Sequence, residues 1–218
     1  MSRIIGLHGV TGSGKDTVAD AMVRTGKFVK LSFADALKRE LIEAFDCSAA
    51  YFNDRALKEV PTEKLCLMNC AREEFVDWYV STRNGEYEFQ TMGASFYSQP
   101  RTPRWLMQTW GTDYRKVSDQ GYWIRQLAHK INTYTPHHNF VISDVRFEDE
   151  AAFVRGQDRG NMICEVLRPN NPYRSKTDGH VSNHRLERVD RIILNAGTVE
   201  SLDRKTERVL KIFFENNA

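Results

Sequence analysis

Five short apolar runs punctuate the chain, and the hydrophobic positions between them recur at helical spacing. Ile4-Ile5-Gly6-Leu7, Phe28-Val29-Lys30-Leu31-Ser32-Phe33, Phe140-Val141-Ile142-Ser143-Asp144, Met162–Leu167 and Arg191–Leu194 have the length and content of buried parallel strands. Val18, Ala19, Met22 and Val23 share one helical face, and Gly26 is placed to end that helix. A second helix starts at Asp35 and carries Leu37, Leu41, Ala44 and Phe45 on one side. Pro103 can open a helix at its first position, with Leu106, Trp110 and Tyr114 on one face. Trp123, Ile124, Leu127 and Ile131 mark another, ending before Pro136. Ala151, Ala152 and Val154 follow the third strand, and a closing helix from about Val199 turns Leu202, Val209, Leu210 and Phe213 inward. Strands alternating with helices predict an α/β protein with a doubly wound, five-stranded parallel sheet and helices on both faces.

From residue 46 to 101 the periodicity weakens. Tyr51, Phe52, Trp78, Tyr79, Tyr87 and Phe89 are interleaved with charges, and no sheet strand is evident. The segment reads as an insertion of two or three helices, one from Glu63 to Met68 running on through Val80. The core is then 1–45 with 102–218.

The chemistry is concentrated after the first strand. Gly9-Val10-Thr11-Gly12-Ser13-Gly14-Lys15-Asp16-Thr17 matches the phosphate-cradling spacing G-x-x-x-x-G-K, with Asp16 where Ser or Thr is usual and a hydroxyl one place later on Thr17. Strand, glycine loop and helix is the context that gives the motif its function. Glycines let successive N–H groups point into one concavity, the helix N-terminus adds about half a positive charge, and Lys15 reaches the outer phosphates. A plain Gly/Ser turn before an ordinary helix is the bland alternative, and the context argues against it. The second informative stretch is Phe140–Asp144, an apolar strand delivering an acid at its C-terminal end, where ligands of open parallel sheets bind. Arg146 follows directly.

Composition changes little. Lys+Arg 31 against Asp+Glu 29 gives a net charge of +2, too balanced to argue for nucleic acid or a membrane surface. Cys47, Cys66, Cys70 and Cys164 form no C-x-x-C pair, so reduced thiols in a cytoplasmic protein are the expectation. No leader or membrane-length apolar run is evident. His137-His138 lacks a third ligand at metal-binding spacing and reads as a polar loop. Residues 168–190 carry Arg168, Arg174, Lys176, Arg185 and Arg188. They fit either a solvated loop or a lid that brings cations over phosphates.

Phosphoryl transfer asks for alignment, cations around the moving group and exclusion of water. A kinase for a small phosphorylated acceptor also needs a second anion site. Arg55, Lys58, Arg104 and Arg146 are its candidates.

The segments GLHGVTGSGKDTVAD (6–20), FADALKREL (33–41), RWLMQTWGTDY (104–114), YWIRQL (122–127), ISDVRFEDEA (142–151), VLRP (166–169) and LNAGTVESL (194–202) resemble, in order, the deoxynucleoside monophosphate kinases of bacteriophages, within the nucleoside monophosphate kinase superfamily. Residues 46–101 match loosely. The resemblance implies a three-layer P-loop kinase fold with a helical monophosphate-binding insertion at 46–101 and a lid at about 168–190. It implies that Gly9, Thr11, Gly12, Ser13, Gly14, Lys15, Asp16 and Thr17 hold ATP, with Asn195 and Thr198 framing its adenine. Lys15, Asp144, Arg146 and Arg168 would be the catalytic set. Asp16, Thr17 and Asp144 would meet magnesium, in part through water. Arg55 and Lys58 would take the acceptor's phosphate, with Arg104 beside them. Gln108, Gly111, Thr112, Trp123, Phe147 and Glu150 would line its nucleoside. The implied activity is ATP-dependent phosphorylation of a deoxynucleoside monophosphate to the diphosphate in the cytoplasm. The implied partners are small nucleotides, with neither nucleic acid nor membrane, and the aromatic-rich insertion leans toward a homodimer. Two rivals remain at this point: another small-metabolite kinase of dephospho-coenzyme A or phosphomevalonate type, and an NTP-hydrolysing switch or motor domain.

Overall fold

Strand β1, Ile4–His8, is the centre of the sheet in the computed structural model, which describes residues 2–134, 138–157, 160–172 and 185–215. β2 (Phe28–Leu31), β3 (Asn139–Ile142), β4 (Met162–Leu167) and β5 (Arg191–Leu194) complete it in the order β2-β3-β1-β4-β5, every pairing parallel. Each run that reads as a strand is one. Two stop short of the predicted end: beyond β2, Ser32 and the Phe33 N–H turn to the Asp144 carboxylate, and beyond β3 the Ser143 N–H makes a last cross-strand bond to the Leu31 carbonyl at 3.0 Å.

The chain divides into two compact units, Met1–Phe33 with Ile124–Ala218, and Ala34–Trp123. The first holds the sheet. Ile5 and Leu7 point to one face, where α1 (Lys15–Arg24) and α10 (Val199–Glu215) cover them with Val18, Ala19, Met22, Leu202, Leu210 and Phe213. Full burial of a side chain such as Phe213 is worth roughly 1.5–3 kcal/mol. Val23, placed on that stripe by spacing, stands partly in solvent. The opposite face receives α9 (Glu148–Gln157), with Ala151 and Val154 buried. Gly6 leaves room on this face for its neighbours, since a Cβ there would lie 2.6 Å from Ile163 Cδ1 in β4 and 3.5 Å from Val154 Cγ1 in α9. Gly26, at φ 72°, ends α1 by donating its N–H to the Val23 carbonyl.

The second unit is helical and takes in α2 (Ala34–Phe45) and the chain from Pro103 to Trp123 as well as residues 46–101. After α3 (Ala50–Asn53) come two 3₁₀ turns, Glu63–Leu65 and Leu67–Asn69. Helices α4 (Glu73–Ser81), α5 (Arg83–Met92), α6 (Ser95–Ser98) and α7 (Pro103–Gln108) follow. The single helix expected from Glu63 through Val80 is broken, because Cys66 is extended (φ −70°, ψ 153°) and the Asn69 amide caps the carbonyl of Glu63. Thr102 caps α7 by accepting the Trp105 N–H at 3.0 Å, and Pro103 occupies the first helical position as its sequence predicts. The helix then widens into a π turn over Thr109–Lys116. Phe75 lies 4.4 Å from Trp110 between ring centroids, and Arg101 sits buried over Trp105 with its guanidinium on Glu88. α8 (Tyr122–Asn132) opens within this unit and continues into the first.

Candidate functional site

The strand order reverses at β1, whose neighbours β3 and β4 come much later in the chain, and β1 feeds Gly9–Thr17 at that switch point. Three glycines of the loop have positive φ: Gly9 at 140°, Gly12 at 79° and Gly14 at 105°. A Cβ on Gly9 would fall 2.5 Å from the Val166 carbonyl, and one on Gly14 would fall 2.5 Å from Asn195 Nδ2. Both space and backbone therefore require glycine. Gly14 caps α1, so the helix begins at Lys15 with its unpaired N–H groups turned to the loop.

Lys15 Nζ donates to the carbonyls of Gly9 and Val10, the latter at 3.0 Å. Burial, and then the neighbouring Arg146 guanidinium, bring its pKa from 10.5 down to about 8, against the pull of Asp16 and Asp144. Lys15 and Arg146 thus form one electropositive focus beside a nest of backbone N–H groups.

Three consecutive loop carbonyls are held from outside. Asn171 Nδ2 donates to Thr11 at 2.7 Å, Arg168 Nη1 to Gly12 at 3.3 Å and Asn195 Nδ2 to Ser13 at 2.8 Å. The donors come from the segments that follow β4 and β5. The Asn195 side chain is therefore directed at the loop backbone, and its own N–H binds the Leu167 carbonyl at 2.7 Å. Thr198 caps α10, accepting the Ser201 N–H at 3.3 Å. The Ser13 hydroxyl is fully buried and meets no hydrogen-bond partner among the described residues.

Asp144 ties the end of β3 to the end of β2, accepting the Phe33 N–H at 2.8 Å and the Ser32 hydroxyl at 2.7 Å. Two residues on, the Arg146 and Phe147 N–H groups both donate to Glu150, at 2.8 and 3.2 Å. This is the reach-back half of a capping box. Glu150 is only 4% exposed and fixes the start of α9, and with it the backbone that carries Arg146. His8, buried under the loop, donates Nδ1–H to the Val145 carbonyl at 2.9 Å. Burial holds its pKa below 6.5, so the ring is neutral at pH 7. Asp16 is 81% exposed in its side chain and pairs with Lys30 at 3.0 Å, which also holds Asp20 at 2.9 Å.

In the second unit Arg55 and Lys58 lie in the turn after α3, and the Lys58 carbonyl accepts the Arg104 N–H at 3.0 Å. Arg104 itself pairs with Glu59. Gln108 and Thr112 flank the start of the π turn, half-buried. Trp123 is buried and donates its indole N–H to the Gly111 carbonyl at 2.8 Å, and a Cβ on Gly111 would press Leu37 at 2.8 Å. The node of this unit is Glu40, which accepts from Trp110 Nε1 at 2.8 Å, Arg115 Nε at 3.1 Å and the Tyr122 hydroxyl.

Asn171, His8, Ser32 and Glu40 went unread in the sequence, since each acts through a partner far along the chain. Of the 168–190 segment, Arg168 and residues 185–190 are described; Arg174, Lys176, His180 and His184 lie outside the described residues, as does His137. Arg185 pairs with the buried Glu165 at 2.8 Å.

A parallel sheet with a glycine loop at its switch point, a lysine on the loop and an acid at the next strand end is the arrangement of a P-loop nucleotide-binding protein. A family model described as deoxynucleotide monophosphate kinase matches residues 82–206. That covers more than half of the chain, so the chain belongs to the deoxynucleotide monophosphate kinase family. A protein of Acanthamoeba polyphaga mimivirus that carries a provisional deoxynucleotide monophosphate kinase name is 26% identical over 213 residues, spanning 90% of each chain. Among solved structures, TT1252 from Thermus thermophilus is 16% identical with a TM-score of 0.46, covering 96% of this chain and 97% of its own. The dephospho-CoA kinase of Campylobacter jejuni is 12% identical with a TM-score of 0.41, covering 97% of each chain. Among the described residues no helix is long and apolar enough to cross a membrane.

Proposed function

We propose that this chain transfers the γ-phosphoryl group of ATP to deoxynucleoside 5′-monophosphates, giving the diphosphates by direct in-line displacement. The observation that carries the reading is a positive-φ glycine loop that bears Lys15 and has three successive carbonyls held from outside by Asn171, Arg168 and Asn195, in a member of this family. The loop N–H groups and Lys15 would bind the β- and γ-phosphates, and Arg146 would steady the transferred group as charge spreads over its oxygens. The acceptor phosphate is already ionised near pH 7, its second pKa being about 6, so no general base is required. Arg168, which reaches the loop through Gly12, would add positive charge at the same place.

Magnesium fits the donor set. Such an ion is bound by one or two protein oxygens, substrate phosphates and water. The carboxylates of Asp144 and Asp16 and the Thr17 hydroxyl are oxygens of that kind; Asp144 already accepts from Ser32 and Phe33 and Asp16 from Lys30, so an ion would share these oxygens, in part through water. When bound, the ion would neutralise charge on the donor phosphates. For the acceptor we assign Arg55 and Lys58 to the phosphate and Gln108 and Thr112 to the nucleoside. Trp123, Gly111 and Glu150 would act by shaping the backbone, as their hydrogen bonds suggest.

The test is ADP formation from ATP in the presence of each deoxynucleoside and ribonucleoside monophosphate, with dephospho-coenzyme A as a further acceptor. Stimulation by one or more deoxynucleoside monophosphates is expected. Hydrolysis indifferent to every acceptor, or stimulation by dephospho-coenzyme A alone, would overturn the assignment.

A further inference from the structure

We infer that Asn171 is a positioning residue for the donor phosphates, acting through the peptide that joins Thr11 to Gly12. The inference rests on the proposed function only for the identity of the donor. In a trans peptide the carbonyl of one residue and the N–H of the next point in opposite directions. Holding the Thr11 carbonyl outward therefore turns the Gly12 N–H toward the concavity. Asn171 does the holding, at 2.7 Å, from a position that is only 8% exposed. Only its NH₂ can face a carbonyl, so the side chain acts there as a donor.

The neighbouring peptides show what is specific to Asn171. The Gly12 carbonyl takes a longer bond, 3.3 Å, from the exposed Arg168, and the Ser13 N–H on that peptide is already bound to the Val10 carbonyl at 3.1 Å. The Ser13 carbonyl is held by Asn195 from the segment after β5. Gly12, at φ 79°, can adopt conformations that residues with a side chain rarely visit, so its peptide gains from an external hold. No loop residue supplies one. The buried amide of Asn171, four residues past β4, does.

The experiment compares full-length wild type with Asn171→Ala and Asn171→Asp, reading calorimetric affinity for a non-hydrolysable ATP analogue, KM for ATP, KM for the acceptor and the thermal midpoint. Ala removes the donor without adding charge, and Asp keeps the volume but replaces the donor with a carboxylate that repels the Thr11 carbonyl. Asn171→Ala should bind the analogue about tenfold more weakly, the effect of one buried hydrogen bond, and Asn171→Asp more weakly still. The KM for ATP should rise in step, with acceptor KM and thermal midpoint near wild type. Wild-type affinity in both variants would overturn the inference. So would equal losses toward donor and acceptor with a lowered midpoint, which describe a merely structural residue. Analogue binding needs no acceptor, so a wild type that binds ATP yet phosphorylates none of the monophosphates defeats the proposed function and still tests Asn171. A wild type that binds no ATP analogue defeats both.

Discussion

Lys15 and Arg146 are two cations held within electrostatic reach of each other. Burial first, and the Arg146 guanidinium second, bring the Lys15 ammonium to a pKa of about 8. Close like charges beneath a nest of N–H groups are unfavourable alone and favourable once an anion lies between them.

The pH dependence follows from that pair. The Lys15 ammonium is almost wholly charged at pH values more than about a unit below 8 and is lost as pH rises through about 8. Affinity for an ATP analogue should fall on that limb, and binding near pH 8 should take up a proton, since phosphate favours the charged lysine. Calorimetry in buffers of different ionisation enthalpy reads the proton directly. Arg146→Ala removes a charge that lowers this pKa, so the limb should move to higher pH. A limb that stays in place would separate the two residues.

Asp144 should contribute to folding as well as to chemistry. Asp144→Ala takes the acceptor from the Phe33 N–H and the Ser32 hydroxyl, and a loss of about 2–4 kcal/mol in urea unfolding is expected. Ser32→Ala removes one of the two bonds and should cost about 1 kcal/mol. Equal stability of Asp144→Ala and wild type would mean that the link between β2 and β3 is idle.

Glu40 should matter to the second unit in the same way. Glu40→Ala leaves the buried Trp110 indole and Arg115 without this carboxylate, and about 2–4 kcal/mol of stability should go with it. Burial, and next the hydrogen bond to Glu40, push the Tyr122 pKa up to about 12. Tyrosinate absorbance in Glu40→Ala should therefore show one phenol titrating at lower pH than in wild type.

Asn195 offers a choice between two roles. A residue framing adenine would, when truncated, change the preference for ATP over GTP. A residue holding the Ser13 carbonyl would weaken both nucleotides alike. We expect Asn195→Ala to weaken ATP and GTP analogues by similar factors, read by competition binding.

How much of this was legible depends on distance along the chain. The strands were readable because Ile4–Leu7 or Met162–Leu167 show their nature in a few consecutive apolar residues. The glycine loop was readable because its spacing is local, and the π turn was not, because Leu106, Trp110 and Tyr114 carry the same spacing in either helix. Glu150, which the resemblance set beside the nucleoside, caps α9, and Phe147 and Glu150 already had capping-box separation. Asn171 stands in Asn170-Asn171-Pro172, which reads as a turn, and only folding shows that its amide meets Thr11.

The sheet order also fixes a timetable. Ile5 in β1 lies between Val141 in β3 and Met162 in β4, so the centre of the sheet cannot close until most of the chain has been synthesised. Nor can the Ser13 carbonyl be held until Asn195 arrives behind β5. Contacts this remote in sequence form slowly and leave apolar edges open meanwhile. The glycine loop is made early and finished late. A ribosome-bound chain stalled before residue 195 should thus carry all of Gly9–Thr17 and still grip nucleotide poorly.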